Sequence, residues 1–166
     1  MLSSLSLGCG GSKDAIVIRS MPPGGSFTGV WFSPQYGEMH ILQSGASAIG
    51  RYTKDERLGK IQGGIEGDIM RFEWSERREM IVGRPVQTRG HGYFRLVKDD
   101  AEDTWKLVGE WGNDANERGG GPWNAVKSKT RRPDVDGSGK SERDADEVSP
   151  SSGDEADDGP DDLSDL

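Results

Sequence analysis

The sequence predicts an all-β protein, an antiparallel up-and-down meander of about eight short strands forming a small barrel or a strongly curved sheet. Three observations predict it. Met70, Phe72 and Trp74 alternate with Arg71, Glu73 and Ser75, the period of a half-buried strand. Residues 104–111 repeat the pattern, with Trp105, Leu107 and Trp111 on one face, Lys106 and Glu110 on the other, and Gly109 small enough to leave room beside the rings. The 25 glycines follow no collagen-like period and sit among aromatic and β-branched residues, as in a domain rich in tight turns.

Composition then divides the chain. The apolar fraction of 31% is low against about 45–50% in globular domains, a figure that also counts Gly. At 166 residues there is room for one ordinary domain. The formal charge of -8 is uneven: residues 134–166 hold 13 acidic and 2 basic residues, a balance of -11, which leaves +3 for residues 1–133. Residues 1–25 read as a flexible N-terminal segment, 26–130 as the β domain, and 131–166 as a disordered acidic tail too poor in large aliphatics to offset its ordering entropy.

Within the domain the strands come in order. Residues 26–32 form the first, and Ser33-Pro34-Gln35-Tyr36-Gly37 turns the chain into 38–43. A Ser44-Gly45 turn leads to 46–53, and residues 54–59 read as a charged loop before 60–65. Glu66-Gly67-Asp68 makes a tight hairpin into the strand ending near Glu76. Residues 76–89 break the rhythm with a charged cluster and Pro85, and read as the longest irregular connection. Residues 92–97, 104–111 and 123–127 complete the sheet. Upstream, Ala15-Ile16-Val17-Ile18 is one β-prone run, followed by a linker at Met21-Pro22-Pro23-Gly24-Gly25.

Most motifs fail for want of context. Gly137-Ser138-Gly139-Lys140-Ser141 ends like a phosphate-binding loop, but Asp134 stands where its first glycine belongs, and no strand or helix flanks it. Asp134-Val135-Asp136-Gly137 opens like a calcium loop whose twelfth position, Ala145, cannot supply the bidentate carboxylate. His40 and His91 show no metal-ligand spacing, and no serine or cysteine sits in a nucleophile pattern. No cofactor or metal is expected.

Cys9, the only cysteine, excludes an intrachain disulfide. Leu5-Ser6-Leu7-Gly8-Cys9-Gly10-Gly11-Ser12 resembles the end of a bacterial lipoprotein signal, with Ser6 in place of an aliphatic residue and no basic start. If translation begins upstream, Cys9 is a lipidation site on an envelope lipoprotein; if at Met1, the segment is a frayed cytoplasmic terminus. No apolar run reaches the ~20 residues of a membrane-spanning helix.

Gly29-Val30-Trp31, at the head of a glycine-rich antiparallel meander, resembles the opening strand of the lipocalin-like barrels, which include lipocalins, avidins and bacterial metalloprotease inhibitors. The spaced Gly-x-aromatic strands are also similar to uncharacterised bacterial Gly-x-Trp meander proteins. The resemblance implies a small barrel over residues 26–132, with Trp31 at a closed base against an arginine, here Arg131 or Arg132.

The expected function is a non-enzymatic binding module. It would hold an apolar or aromatic small molecule among some of Trp31, Met70, Phe72, Trp74, Tyr93, Trp105 and Trp111, or present loops to a protein partner. Arg77, Arg78, Arg84 and Arg89, with Arg95 nearby in sequence, form the candidate partner-binding cluster. Nucleic acid is not an expected partner, because the domain carries only +3 and the acidic tail competes for the arginines. Two alternatives stand behind this: an enzyme using Glu73, Glu76 or Asp68 near His40 or His91 at a barrel mouth, and a structural envelope-tethered lipoprotein.

Overall fold

The computed structural model describes residues 15–78 and 82–136. Cys9, the phosphate-loop and calcium-loop stretches beyond Asp136, and the tail from residue 137 lie outside them. Among the described residues, no helix is long and apolar enough to cross a membrane.

Eight antiparallel strands succeed one another around a closed barrel: β1 (Gly29–Ser33), β2 (Gly37–Ser44), β3 (Ser47–Lys54), β4 (Arg57–Glu66), β5 (Ile69–Arg78), β6 (Val86–Asp99), β7 (Thr104–Asn113) and β8 (Gly121–Lys127). Each pairs with the next, and β8 returns to β1 through Trp31↔Lys127 and Phe32↔Val126. Closure partners the strands on both sides over most of their length, which removes most of the aggregation-prone edge of an open sheet.

The first strand starts at Gly29 rather than at residue 26, and two others exceed the sequence pattern most. Arg57, Leu58 and Gly59, read as loop, belong to β4, because Asp55 adopts a left-handed φ of 51° and turns the chain within Asp55 and Glu56. β6 begins at Val86, inside the stretch read as irregular, and runs 14 residues to Asp99. After Val86, the polar Gln87, Thr88 and Arg89 occupy both faces, and all four residues are exposed, so no amphipathic period marks this start as a strand.

Inside, large rings meet glycines. In the β3–β4 ladder Tyr52 lies opposite Gly59, in β5–β6 Phe72 opposite Gly92 and Trp74 opposite Gly90, and in β6–β7 Phe94 opposite Gly109. A Cβ on Gly59 would sit 1.9 Å from the Tyr52 ring. The missing side chain is therefore the space the ring occupies, which explains the Gly-x-aromatic texture of the sequence.

The two ends differ. At the base, where β1 starts, residues 15–28 lie against the barrel: Arg19 N donates to Asp68 Oδ1 at 2.9 Å and Asp68 N to Arg19 O at 2.9 Å. Arg95 pairs with Asp68 and donates to Val17 O. Phe27 is fully buried there, and the Trp31 indole donates to its carbonyl at 2.9 Å. At the rim, Lys54 Nζ bonds Pro34 O and Gln35 O and fastens the β1–β2 turn.

The base tryptophan is covered by a cation, but not the expected one. Lys127 Nζ stands 5.3 Å over the Trp31 ring, whereas Arg131 stacks outside, 5.7 Å over Phe32. Register is the reason: Lys127 is the ladder partner of Trp31, and by Arg131 the chain has left the barrel and turned onto its outer wall.

That turn starts a strap. Arg131 forks onto Glu38, with Nη2 2.8 Å from Oε1. Asp134 N donates to His40 Nδ1 at 2.8 Å, and Arg51 binds the Asp134 carbonyl and carboxylate. Thus residues 128–136 cross the outside of β1, β2 and β3, and His40, outward on its strand, is buried beneath them.

Candidate functional site

The barrel interior is a cluster of touching rings. Trp123 lies at its centre, with ring centroids 4.6 Å from Tyr36, 5.1 Å from Tyr52, 5.6 Å from Phe72 and 5.3 Å from Phe94. Three of those contacts are edge-to-face, which sets the positive edge of one ring against the negative face of the next. Trp123 Nε1 is buried without a hydrogen-bond acceptor among the described residues. The other interior indoles are satisfied: Trp74 Nε1 donates to Gly112 O at 3.1 Å and Trp111 Nε1 to the Tyr36 hydroxyl.

The seven residues expected to line a pocket do not gather around one space. Trp31 and Met70 are fully buried in the core, Phe72 packs against Phe94 and Trp123, and Trp74 meets Trp111 toward the rim. Trp105 is partly buried, with the Lys98 ammonium 5.4 Å over its ring. Tyr93 stands apart on the outer wall, with Arg118 stacked 5.3 Å over it. Its strand neighbour Phe94 takes the inward place, because a shift of one residue along a strand exchanges the two faces.

At the rim, polar groups are already paired. The Tyr52 hydroxyl donates to Glu76 Oε2 at 3.0 Å, and Arg57 Nε lies 3.8 Å from Glu76 Oε1. Burial first, then the Glu76 charge, pushes the Tyr52 hydroxyl far above the usual phenol range. Burial also raises Tyr36, partly offset by the Trp111 hydrogen bond.

The carboxylates and histidines considered for catalysis are dispersed. Asp68 is held by Arg95 at the base and Glu76 by Tyr52 at the rim. His40 uses both nitrogens, Nδ1 accepting from Asp134 and Nε2 2.7 Å from Glu38, beneath the strap. His91 Nε2 is 3.5 Å from Glu73 in a shallow groove of about 460 Å³ on the outer wall, which Ile49, Gln62, Arg71 and Glu117 also line. Its Nδ1 meets the Asp114 carbonyl. No group of three or more His, Cys, Asp or Glu among the described residues is arranged to hold a metal ion.

The candidate arginines other than Arg95 lie at or beside the rim end of the β5–β6 ladder. β7 reaches only as far as Gly90 of β6, so Val86, Gln87 and Thr88 pair with β5 alone and overhang the barrel with one edge free among the described residues. Arg89 O accepts the last bond on that edge, from Asp114 N at 3.2 Å. By the alternation of an antiparallel ladder, Gln87 is the next residue whose backbone groups point off it. Arg77 and Arg78 stand across from Gln87 and Val86, Arg84 precedes the overhang, and Arg57 of β4 faces Arg78. Leu58, Val82 and Val86 add exposed apolar surface. Arg95, grouped with these by sequence, sits at the opposite end.

Fold and surfaces define a class: a small closed β-barrel with an aromatic core and a basic overhang at its rim. Compared with protein-family models, curated protein sequences and solved structures, the chain finds no match.

Proposed function

We propose that the protein is a non-enzymatic binding module that works from the outside of its barrel and takes an acidic, extended protein segment along the overhang of β5 and β6. The observation that carries this reading is the free edge at Val86–Thr88 flanked by Arg77, Arg78 and Arg89. An edge strand offers backbone donors and acceptors to an added strand, and guanidinium groups pair with carboxylates beside it. Exposed Val86 and Leu58 supply apolar contact at the same place. An apolar small molecule inside the barrel is less well supported, since rings with centroids about 5 Å apart must part before anything enters between them.

Titration of the ¹⁵N-labelled full chain with poly-L-glutamate tests this. Saturable shifts confined to amides 75–78 and 86–89, weakened at least tenfold in Arg78→Glu/Arg89→Glu, are the expected result. Shifts confined to other walls, or none at all, would overturn it.

A further inference from the structure

The strap delivers the chain onto a row of basic residues. His40 of β2, Arg51 of β3, Lys60 of β4, Ser75 of β5 and Arg89 of β6 are successive ladder partners and form one row around the outer wall. Asp134 already lies on the first two, between the His40 ring and the Arg51 guanidinium. Arg131 sits over β1 and β2 and Asp134 over β2 and β3, so the strap advances around the barrel in the direction of β4.

Among the described residues, the next cations on the row, Lys60 and Arg89, are in no ion pair. Lys60 directly opposes Arg51, a like-charge cross-strand pair that is unfavourable by itself. By contrast, Arg51 has Asp134 and Arg71 has Glu117. The chain beyond Asp136 holds 11 acidic and 2 basic residues in its last 30. Three strand spacings separate Arg51 from Arg89, about 15 Å, which about five extended residues span. The acidic run Glu142, Asp144, Asp146 and Glu147 is therefore within reach of every cation on the row.

We propose that residues 137–166 of this chain are the occupant of that row, continuing the strap over Lys60 toward Arg89 and so covering one side of the overhang with an internal acidic segment. This contact stands independently of the binding role proposed for the overhang. Because the contact is between exposed charges, salt weakens it.

A nitroxide at Ser151→Cys in a Cys9→Ser background reads the contact in the full chain by paramagnetic relaxation. Amide signals of Lys60, Ser75 and Arg89 are expected to fall below half their diamagnetic intensity, while Val108 and Val126 on the far wall keep theirs. The loss should reverse in 0.5 M NaCl (about a 4 Å screening length) and in Lys60→Glu/Arg89→Glu. Equal attenuation on both walls, no attenuation, or attenuation indifferent to salt and charge reversal would overturn the proposal. Poly-L-glutamate added to a chain whose tail acids are replaced by Asn and Gln separates the two readings. Binding there, with no relaxation effect in the parent, removes only the tail contact; a relaxation effect without such binding removes only the partner role.

Discussion

Glycine and ring are matched residue by residue, and Gly59 tests the match most sharply. Tyr52 is fixed by Trp123 on one side and Glu76 at its hydroxyl, so it cannot swing away from an added methyl group. Gly59→Ala is expected to destabilise the protein by about 1–3 kcal/mol in denaturant unfolding, the usual cost of overpacking. Gly64→Ala on the same strand meets only Ala46 O, at 3.9 Å, and should leave stability unchanged or raise it by about 0.4–1 kcal/mol. Equal effects at both sites would contradict the ring-for-side-chain account. This pairing was legible in outline: Gly109 beside tryptophans signalled room for a ring. Which ring was not, because Gly109 faces Phe94 and Trp123 across ladders whose register no single strand encodes. Tyr93 shows the same limit, since adjacent aromatic residues leave the choice of inward face to the neighbours.

Among the elements, the β1–β8 seam and the strap differ most from the rest. β4 pairs with β5 from Arg57↔Arg78 to Glu66↔Ile69, whereas β1 and β8 share two ladder pairs. Local opening draws on the least-paired regions, so amides of Trp31 and Lys127 should exchange with deuterium well before those of Ile61 and Phe72. Uniform protection around the barrel would contradict this. The strap responds to acid. The Arg131 hydrogen bond, more than the His40 one, holds the Glu38 carboxyl below its usual range against the opposing effect of burial. A carboxylate depressed in the fold contributes stability above its unfolded value, about 4.3, and loses it as pH falls through the lower folded value. Shifts of the Arg131 and Asp134 amides toward released positions are expected in that acid window, before the core unfolds; strap signals that move only with global unfolding would contradict it. The strap itself was hidden from a pattern reading, because Arg131-Arg132-Pro133-Asp134 is as polar as the acidic residues C-terminal to it. The β5–β6 overhang was hidden for a related reason: a strand exposed on both faces has no amphipathic period.

For the molecule as a whole, the all-β class and the meander were readable from strand alternation and turn glycines, and closure into a barrel is consistent with strand number and twist. The interior was not readable, since a lined pocket and a filled core draw on the same aromatic residues. The contacts around Trp123 point to a filled core. The resemblance to ligand-holding barrels therefore reaches the architecture, a β1 tryptophan under a cation at the base, without a vacant centre. A fold carries no function by itself; here the functional reading rests on charge and a free edge outside. The central claim is a solid interior, and the Nε1–H signals of Trp31, Trp74, Trp111 and Trp123 report on it directly. Recorded across a panel of apolar and aromatic small molecules, these four signals should stay where they are in the unliganded protein. A saturable shift of the Trp123 signal, from the buried indole that lacks an acceptor among the described residues, would contradict the account and move the site to the middle of the barrel.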